Sequence, residues 1–304
     1  MAKRVKVGID LGGTRIKMAL VDAGGKILCG HETDTPSSAK SSCLINCLVD
    51  NIAYILDMFP IKKSQLAGVG IGVPGPVDSK KGIVRYFPNI KGWDNVPLKS
   101  ILQRRLGLKV TLDNDVNAMT LAEYRFGAGR GAANIVCITL GTGVGGGVII
   151  DGKLYRGSTM CAGEIGHIPI NEKGPKCNCG GIACLERYVG NRYILERAGK
   201  IFGKGITLEH LSALAKKGNK KAVVIWQDVG KKIGVALTGV VNVLDPDRII
   251  VGGGVSNAGE FILGPMRKEI KLRAMKDQAA HVKVIRAKLG GDAGVIGASL
   301  LTSQ

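Results

Sequence analysis

The hydrophobic positions in the first part of the chain predict short strands that end in glycine-rich or polar turns. Apolar runs at 5–10 and 16–21 flank Gly12-Gly13-Thr14, a pattern typical of a β-hairpin. Apolar residues at helical spacing fill 41–58, and this predicted helix stops before Pro60. Beyond it, the pattern predicts a buried strand at 66–73, an irregular stretch at 79–97, a helix near 97–106 and a strand at 109–112.

The strand, glycine turn and strand of the opening recur about 130 residues later. A β-branched run at 134–140 precedes a glycine-rich turn at 141–147 and an apolar run at 148–150. That interval is too long for a solenoid repeat and is typical of one duplicated lobe in each half. The sequence therefore predicts two related α/β lobes that face a cleft. The other elements predicted in this half are helices near 116–126, 186–203, 207–216, 219–243 and 258–276, strands at 248–251 and 282–287, and a glycine-rich helix start at 290–294.

Composition and charge exclude several classes of protein. The 304 residues are 45% hydrophobic and 22% charged, as in globular proteins, and no apolar run reaches the ~18–20 residues of a membrane helix. The start, MAKRVKVGIDLGGT, lacks the apolar region of a secretory leader, so we expect a cytoplasmic protein. A net charge of +19 favours anionic partners, whether nucleotide, nucleic acid or membrane surface, without choosing among them.

The two glycine turns are candidate phosphate-binding loops. The turn Gly141–Gly146 satisfies G-x-G-x-x-G, but the dinucleotide fingerprint has to open a helix, whereas here an apolar strand follows. The protein kinase interpretation of the same turn also fails, because the chain contains neither H-R-D nor D-F-G. Glycines still let backbone N–H groups approach phosphate oxygens closely. A tight turn without a ligand remains the alternative for either loop taken alone.

The first turn adds polar side chains to its glycines. Asp10 can bind Mg²⁺ directly or through water, while Thr14 and the backbone amides face phosphate, which suits a metal-bridged nucleotide. An Asx-type turn in a hairpin is the structural alternative.

Three of the eight cysteines lie within eight positions on a glycine-rich segment. Cys177, Cys179 and Cys184, with His167 upstream, have the ligand count of a closed tetrahedral zinc site. The alternative is a cysteine-bearing turn beside a hydrogen-bonded histidine. The other cysteines lie in apolar surroundings, where small core residues are expected: Cys29, Cys43, Cys47, Cys137 and Cys161.

Carboxylates flank the cysteines and follow one predicted strand. Glu164 and Glu186 bring carboxylates close to His167, a combination that suits a polyhydroxylated ligand. Asp113-Asn114-Asp115 follows the strand at 109–112, where α/β proteins commonly place chemistry. An aspartate there can accept a hydroxyl proton during phosphoryl transfer, although for this motif taken by itself helix N-capping is the better interpretation.

Taken in order, these motifs resemble the ROK family of sugar kinases and repressors, most closely its zinc-containing, glucokinase-like members. The resemblance covers nearly the whole chain. Its motifs are DLGGT at 10–14, GVPGPV at 72–77, PNIKGW at 88–93, DNDVNA at 113–118, LGTGVGGG at 140–147, EIGH at 164–167, CNCGGIACLE at 177–186 and VGGGV at 251–255.

The resemblance implies an α/β fold of the actin-like, ribonuclease-H-like kind, with two duplicated lobes and an ATP and sugar cleft between them. With this fold we expect a small lobe at 1–117 plus 288–304 and a large lobe at 118–287 that carries the cysteine segment. A homodimer is the family-level expectation.

The resemblance also assigns roles to individual residues. Asp115 matches the base that takes the sugar hydroxyl proton, and His167 matches a residue that contacts both zinc and sugar, one ring nitrogen for each. Zinc would be structural, while Mg²⁺ serves the ATP. The remaining implied sites are sugar ligands at Asn114, Glu164 and Glu186, phosphate loops at Gly12, Gly13, Thr14, Gly141, Thr142 and Gly143, an adenosine-side turn at Gly253 and Gly254, and zinc ligands at Cys177, Cys179 and Cys184.

The implied activity is ATP-dependent phosphorylation of the 6-hydroxyl of a hexose, with glucose the expected substrate. The alternatives within the family are N-acetylmannosamine, N-acetylglucosamine, mannose or fructose kinases, a sugar-sensing repressor, and a polyphosphate-dependent enzyme. A repressor of this family carries an N-terminal DNA-binding domain, and because the first strand begins within about five residues of Met1, we expect no specific nucleic-acid binding and no membrane partner.

Two positions depart from the family pattern. Ala183 stands where a glycine usually precedes the last cysteine, and if that position needs a positive φ the loop is strained by about 1 kcal/mol or more. Asp113 stands where a glutamate is common, a change expected to be peripheral.

Overall fold

The computed structural model describes residues 5–36, 40–59, 61–87 and 92–303. Its strands are β1 (Val5–Leu11), β2 (Arg15–Val21), β3 (Ile27–Asp34), β4 (Leu66–Val73), β5 (Val77–Asp78), β6 (Ile83–Tyr86), β7 (Asp94–Val96), β8 (Val110–Asn114), β9 (Ile135–Leu140), β10 (Val144–Ile150), β11 (Lys153–Tyr155), β12 (Arg248–Gly252) and β13 (Lys283–Arg286). Its helices are α1 (Ser41–Met58), α2 (Leu98–Leu106), α3 (Asp115–Phe126), α4 (Glu186–Val189), α5 (Asn191–Phe202), α6 (Leu208–Lys216), α7 (Lys220–Leu244), α8 (Glu260–Arg273), α9 (Lys276–His281) and α10 (Ala293–Leu300).

The chain divides into two compact units, each made of more than one segment. The first unit comprises Met1–Arg130, Leu154–Ala162 and Leu289–Gln304, and the second comprises Gly131–Lys153 and Gly163–Lys288. The boundary expected at residue 117 falls inside α3. That helix packs as a whole within the first unit, because Gly297 of α10 lies so close to the backbone of Ala118 that a Cβ on it would overlap the Ala118 carbonyl.

The first unit is built on a five-stranded sheet of order β3-β2-β1-β4-β8. Strands β1, β2 and β3 are antiparallel neighbours, which confirms the hairpin around Gly12-Gly13-Thr14. Strands β4 and β8 extend the sheet in parallel. The sequence pattern did not reveal β3, a half-exposed edge strand, or the small sheet β5-β6-β7, of which β6 and β7 lie within the stretch predicted as irregular.

Two glycines let α10 lie directly on this sheet. A Cβ on Gly8 of β1 would overlap the carbonyl oxygen of Val295, and a Cβ on Gly70 of β4 would overlap that of Ala298. The helix backbone therefore approaches the strands more closely than any side chain would allow. Some of the 45 glycines of this chain thus serve helix-to-sheet packing and not phosphate turns.

The second unit repeats the arrangement with its own sheet, of order β11-β10-β9-β12-β13. An antiparallel hairpin, β9 with β10, is again followed by two parallel additions, β12 and β13. The long helix α7 packs against α8, and its buried face includes Trp226 and Ile233. This confirms the sequence prediction that the strand, glycine turn and strand of the first half recur in the second half.

Among the residues that the structure describes, no helix is both long enough and apolar enough to cross a membrane.

Candidate functional site

The polar motif at 113–115 lies at the junction of β8 and α3 in the first unit. Asp113 and Asn114 are the last residues of β8, so the strand runs two residues beyond its predicted end, and Asp115 is the first residue of α3. Asn114 caps the helix, because its Oδ1 accepts the N–H groups of Val116 at 2.9 Å and Asn117 at 3.2 Å. The capping alternative therefore applies to Asn114.

Asp115 is half-buried at the start of α3, where the helix dipole favours a negative charge. Its Oδ1 accepts the Val116 N–H at 2.9 Å. On the opposite side, Gly72 of β4 leaves space for it, since a Cβ on Gly72 would lie 3.2 Å from the Asp115 Cα. The helix start fixes the position of this carboxylate.

The turn between β1 and β2 in the first unit is closed by hydrogen bonds to both of its ends. The Gly12 N–H donates to the Arg15 carbonyl at 2.9 Å. Thr35, just after β3, donates its hydroxyl to the Gly12 carbonyl at 2.7 Å and its N–H to the Thr14 carbonyl at 2.8 Å. Gly13 and Thr14 are exposed at the tip. The turn is therefore fixed at its base and open at its tip, as a phosphate-binding loop requires.

Asp10 lies at the end of β1 in a crowded position. Burial raises the pKa of its carboxyl, and the Lys17 ammonium partly counters that rise. A Cβ on Gly294, in the first turn of α10, would overlap the Asp10 carboxylate. Glycine at that position is therefore what leaves room for the carboxylate.

In the second unit, the turn between β9 and β10 packs against Glu186 of α4. The Val144 N–H donates to Glu186 Oε2 at 2.9 Å, and a Cβ on Gly143 would lie 2.6 Å from the same oxygen. A Cβ on Gly141 would meet nothing within 4 Å, and Thr142 is exposed. Gly143 is thus required by its contact with Glu186, whereas Gly141 and Thr142 face open space.

The turn after β12 contains the adjacent glycines Gly253 and Gly254, the predicted adenosine-side turn. Gly253 has φ +81°, and a Cβ on it would overlap the Leu140 carbonyl at the end of β9. The Ser256 hydroxyl donates to the Gly253 carbonyl at 2.7 Å, and Gly254 is exposed with nothing near it. Only glycine fits the first of these two positions without strain.

The structure brings the predicted metal ligands together. The ligand atoms of His167, Cys177, Cys179 and Cys184 all lie within 4.8 Å of one another. Cys177 Sγ is 3.7 Å from His167 Nδ1, and Cys179 Sγ is 3.6 Å from Cys184 Sγ. Burial and the neighbouring thiols raise the pKa of Cys184 to about 12, whereas the Gly181 N–H lowers the pKa of Cys179.

The backbone of this cysteine knuckle, residues 177–184, is closed by its own hydrogen bonds. The Cys177 N–H donates to the Gly181 carbonyl at 2.8 Å, and the Gly180 N–H donates to the Cys177 carbonyl at 3.0 Å. Ala183 has φ +55° and is buried, so the position does need the conformation that glycine adopts easily, and the expected strain is present. Gly174 gives space to its methyl group, since a Cβ there would lie 2.7 Å from the Ala183 Cβ.

The two ring nitrogens of His167 face different groups. Nδ1 faces the cysteine knuckle, while Nε2 lies 3.8 Å from Oε2 of Glu164, an exposed residue one helical turn earlier. A histidine in this position can serve a metal with one nitrogen and a ligand with the other.

The predicted site residues therefore form two groups, one in each unit. The first unit brings together the glycine turn after β1 and the polar motif before α3, while the second contains the turns after β9 and β12, the knuckle, Glu164 and Glu186. Pro88 to Lys91 of the PNIKGW motif lie outside the described residues. Of the five other cysteines, Cys137 is buried in the core and the remaining four are half-buried.

Sequence reasoning missed three residues that support these groups. Thr35 closes the first glycine turn, Gly294 makes room for Asp10, and Arg156 donates to Asp113. Gly294 belongs to the glycine-rich helix start predicted at 290–294, but no local pattern links any of the three residues to its partner, since each contact joins residues at least 21 positions apart.

Comparison with known proteins gives one consistent family. The sequence profile described as "ROK family" matches residues 6–304. The chain is 36% identical to a glucokinase of Thermotoga maritima over 318 aligned positions, which cover 100% of this chain and 99% of that protein. It is also 32% identical to a xylose repressor of Caldicellulosiruptor bescii, over 96% of this chain and 76% of the repressor.

Among solved structures, the chain is similar to the ROK family glucokinase from Streptomyces griseus determined in complex with glucose and AMPPNP. The TM-score is 0.84 and the sequence identity 36%, with 98% of each chain covered. The two chains are therefore similar in sequence as well as in fold, and the expected α/β fold class is confirmed.

Proposed function

This chain belongs to the ROK family, and from that membership we propose that it is an ATP-dependent glucokinase that phosphorylates the 6-hydroxyl of glucose. The observation that carries the proposal is the full-length similarity to glucokinases, one of which was determined with glucose and an ATP analogue. Every candidate site residue is present, on the loops and helix starts described above.

Asp115 is the general base in this reaction. Its carboxylate accepts the proton of the sugar 6-hydroxyl as that oxygen forms its bond to the γ-phosphorus of ATP and the bond from the γ-phosphorus to the ADP oxygen breaks. The first position of α3 suits this role, because the helix dipole favours a negative charge there and the Val116 N–H holds one carboxylate oxygen in place.

Four residues bind the sugar hydroxyls in this proposal: Asn114, Glu164, His167 and Glu186. Glu164 lies on the Nε2 side of the His167 imidazole, so a single sugar hydroxyl can contact both Nε2 and the Glu164 carboxylate. Glu186 uses Oε2 for the Val144 N–H, and we assign its Oε1 to the sugar. The same carboxylate then links a sugar contact to the glycine turn that follows β9.

Both glycine turns bind phosphate in this proposal, and the turn at Gly253 and Gly254 takes the adenosine side. Thr14 and Thr142 add hydroxyl donors at the two exposed tips. Mg²⁺ would neutralise charge on the ATP phosphates, and Asp10 fits as its ligand, directly or through water. Burial raises the pKa of this carboxyl, and a bound cation would offset that rise because it favours the ionised form.

Changing Gly294 to alanine tests the Asp10 assignment. The new Cβ would overlap the Asp10 carboxylate, so we expect KM for Mg-ATP to rise about tenfold, or roughly 1.4 kcal/mol of binding free energy, with KM for glucose little changed. The measurement is steady-state kinetics with each substrate varied in turn.

The matched control is Gly239→Ala in α7, an exposed helical glycine with nothing near its Cβ position. We expect that change to leave both KM values unaltered and to stabilise the protein by about 0.5–1 kcal/mol. Equal Mg-ATP kinetics in Gly294→Ala and wild type would refute the role of Asp10.

The cysteine knuckle fits a structural zinc ion. Three sulfurs and one imidazole nitrogen are a closed ligand set, and tetrahedral bonds of about 2.3 Å to sulfur place two sulfurs roughly 3.8 Å apart. The 3.6 Å between Cys179 and Cys184, and the 3.7 Å from Cys177 to His167, are close to that spacing. Zinc in this position would fix the His167 ring, whose Nε2 then serves the sugar.

The decisive experiment is a coupled ADP-release assay with Mg-ATP. The sugars to compare are glucose, mannose, fructose, N-acetylmannosamine and N-acetylglucosamine. We expect the highest kcat/KM with glucose. A preference for an N-acetyl sugar would instead identify the chain as an N-acetylmannosamine or N-acetylglucosamine kinase.

The similarity to the xylose repressor is the observation that favours a second candidate, a sugar-binding regulator. ADP release separates the two, because a regulator would bind sugar without turnover. Retention of DNA at physiological salt should be weak and indifferent to sequence, as expected from charge alone. A homodimer remains the family-level expectation.

A further inference from the structure

Arg156 belongs to a short segment, residues 154–162, that packs within the first unit although its neighbours in sequence belong to the second. Arg85 of β6 donates from Nη2 to the Thr159 carbonyl at 3.1 Å. The Ser79 hydroxyl lies 3.8 Å from Met160 Sδ. The segment is therefore held to the first unit by contacts other than that of Arg156.

Arg156 forms an ion pair with the most buried carboxylate of the polar motif. Its Nε donates to Asp113 Oδ2 at 2.6 Å, and the Asp113 side chain is only 2% exposed against 23% for Arg156. A carboxylate buried to this extent needs a charged partner, because the cost of removing it from water is otherwise uncompensated. Arg156 is the residue that compensates the charge of Asp113 inside the unit.

The other oxygen of Asp113 organises the turn that follows. Its Oδ1 accepts the Asn114 N–H at 2.8 Å and the Asn117 side-chain N–H at 2.9 Å. Asn114 in turn caps α3 and donates from Nδ2 to the Gly75 carbonyl at 3.2 Å. Asp113 therefore accepts from Arg156 with Oδ2 and from groups at the start of α3 with Oδ1.

From this chain of contacts we infer that Arg156 is a positioning residue for the reaction: it fixes the Asp113 carboxylate, which fixes the turn that directs the base Asp115. The inference rests on the proposed function. Arg156 acts through Asp113, and the geometry gives it no direct part in the proton transfer.

The test is Arg156→Gln, assayed for ADP release with Mg-ATP and glucose beside its thermal unfolding midpoint. We expect kcat to fall about 10- to 100-fold, as for a misplacement of the reacting groups near 1 Å, with KM for ATP within about twofold of wild type. A wild type without sugar kinase activity would refute the proposed function, whereas an active wild type with an unaffected variant would refute only this inference.

Two companion variants separate positioning from general stability. Arg85→Gln removes an arginine that anchors the same segment without touching Asp113, and we expect its kcat to stay within about twofold of wild type. The double variant Arg156→Gln with Asp113→Asn replaces both charges by neutral partners of similar shape, and kcat should return to within about threefold of wild type.

The result that overturns the inference is a lower unfolding midpoint in Arg156→Gln with kcat unchanged, or an equal loss of kcat in Arg85→Gln. Should Arg156→Gln not fold, Arg156→Lys takes its place, since it keeps the charge and changes only the donor geometry. A loss of kcat in the lysine variant at an unchanged midpoint supports positioning, and wild-type kcat in that variant contradicts it.

Discussion

Asp115→Asn is expected to lower kcat for glucose phosphorylation by roughly 10²- to 10⁴-fold, the usual contribution of a positioned general base. Asparagine has nearly the same shape and can still accept the Val116 N–H, so the start of α3 should be preserved. What the variant lacks is a group that can take the proton of the sugar hydroxyl. Glucose binding, measured by calorimetry, should remain within a few-fold of wild type.

Asp277→Asn is the matched control, since Asp277 also lies in the first turn of a helix, α9, and is exposed. It should retain wild-type kcat. If Asp115→Asn kept substantial turnover, Asp115 would not be the base. If it lost glucose binding together with turnover, its main role would be to bind the sugar.

Cys179→Ser is expected to remove a structural zinc ion and to destabilise the protein. Wild type should contain about one zinc per chain by elemental analysis, because the four ligands complete a tetrahedral set. Cys179 is exposed, unlike Cys177 and Cys184, so its replacement disturbs little packing and the effect can be attributed to the lost ligand. Each kcal/mol lost should lower the unfolding midpoint by about 2–4 °C.

Kinetics give this variant a second readout. Without zinc the His167 ring loses one of the two contacts that orient it, so KM for glucose should rise more than KM for ATP. Cys161→Ser is the control, because Cys161 lies outside the knuckle and should leave zinc content unchanged. Zinc-free wild type with full activity and stability would show that the knuckle needs no metal.

The sequence was most informative where one local pattern carries the structure. Glycine turns between apolar runs marked both hairpins, and the spacing of the three cysteines marked the knuckle. The backbone at Ala183 could also be anticipated, because a glycine is usual there and the observed φ of +55° explains why.

What the sequence could not reveal depends on contacts between distant segments. The pair Arg156 and Asp113 joins positions 43 residues apart, and no periodicity links them. In the sequence, Gly8 and Gly70 look like ordinary strand residues. The need for glycine becomes visible only in the structure, where α10 packs directly against both positions. Edge strand β3 was missed because its half-exposed residues lack a clear apolar face.

The packing of α10 on β1 and β4 has a consequence for the order in which the protein folds during synthesis. Strand β1 emerges from the ribosome long before α10, the helix that lies against Gly8. Val295 and Ile296 of α10 cluster with Ala19 and Val21 of the neighbouring strand, so these strands lack their apolar partners until α10 has been made. All segments of the second unit, residues 131–153 and 163–288, are made before α10. Although it is encoded later than most of the first, it is therefore the unit that can finish folding first.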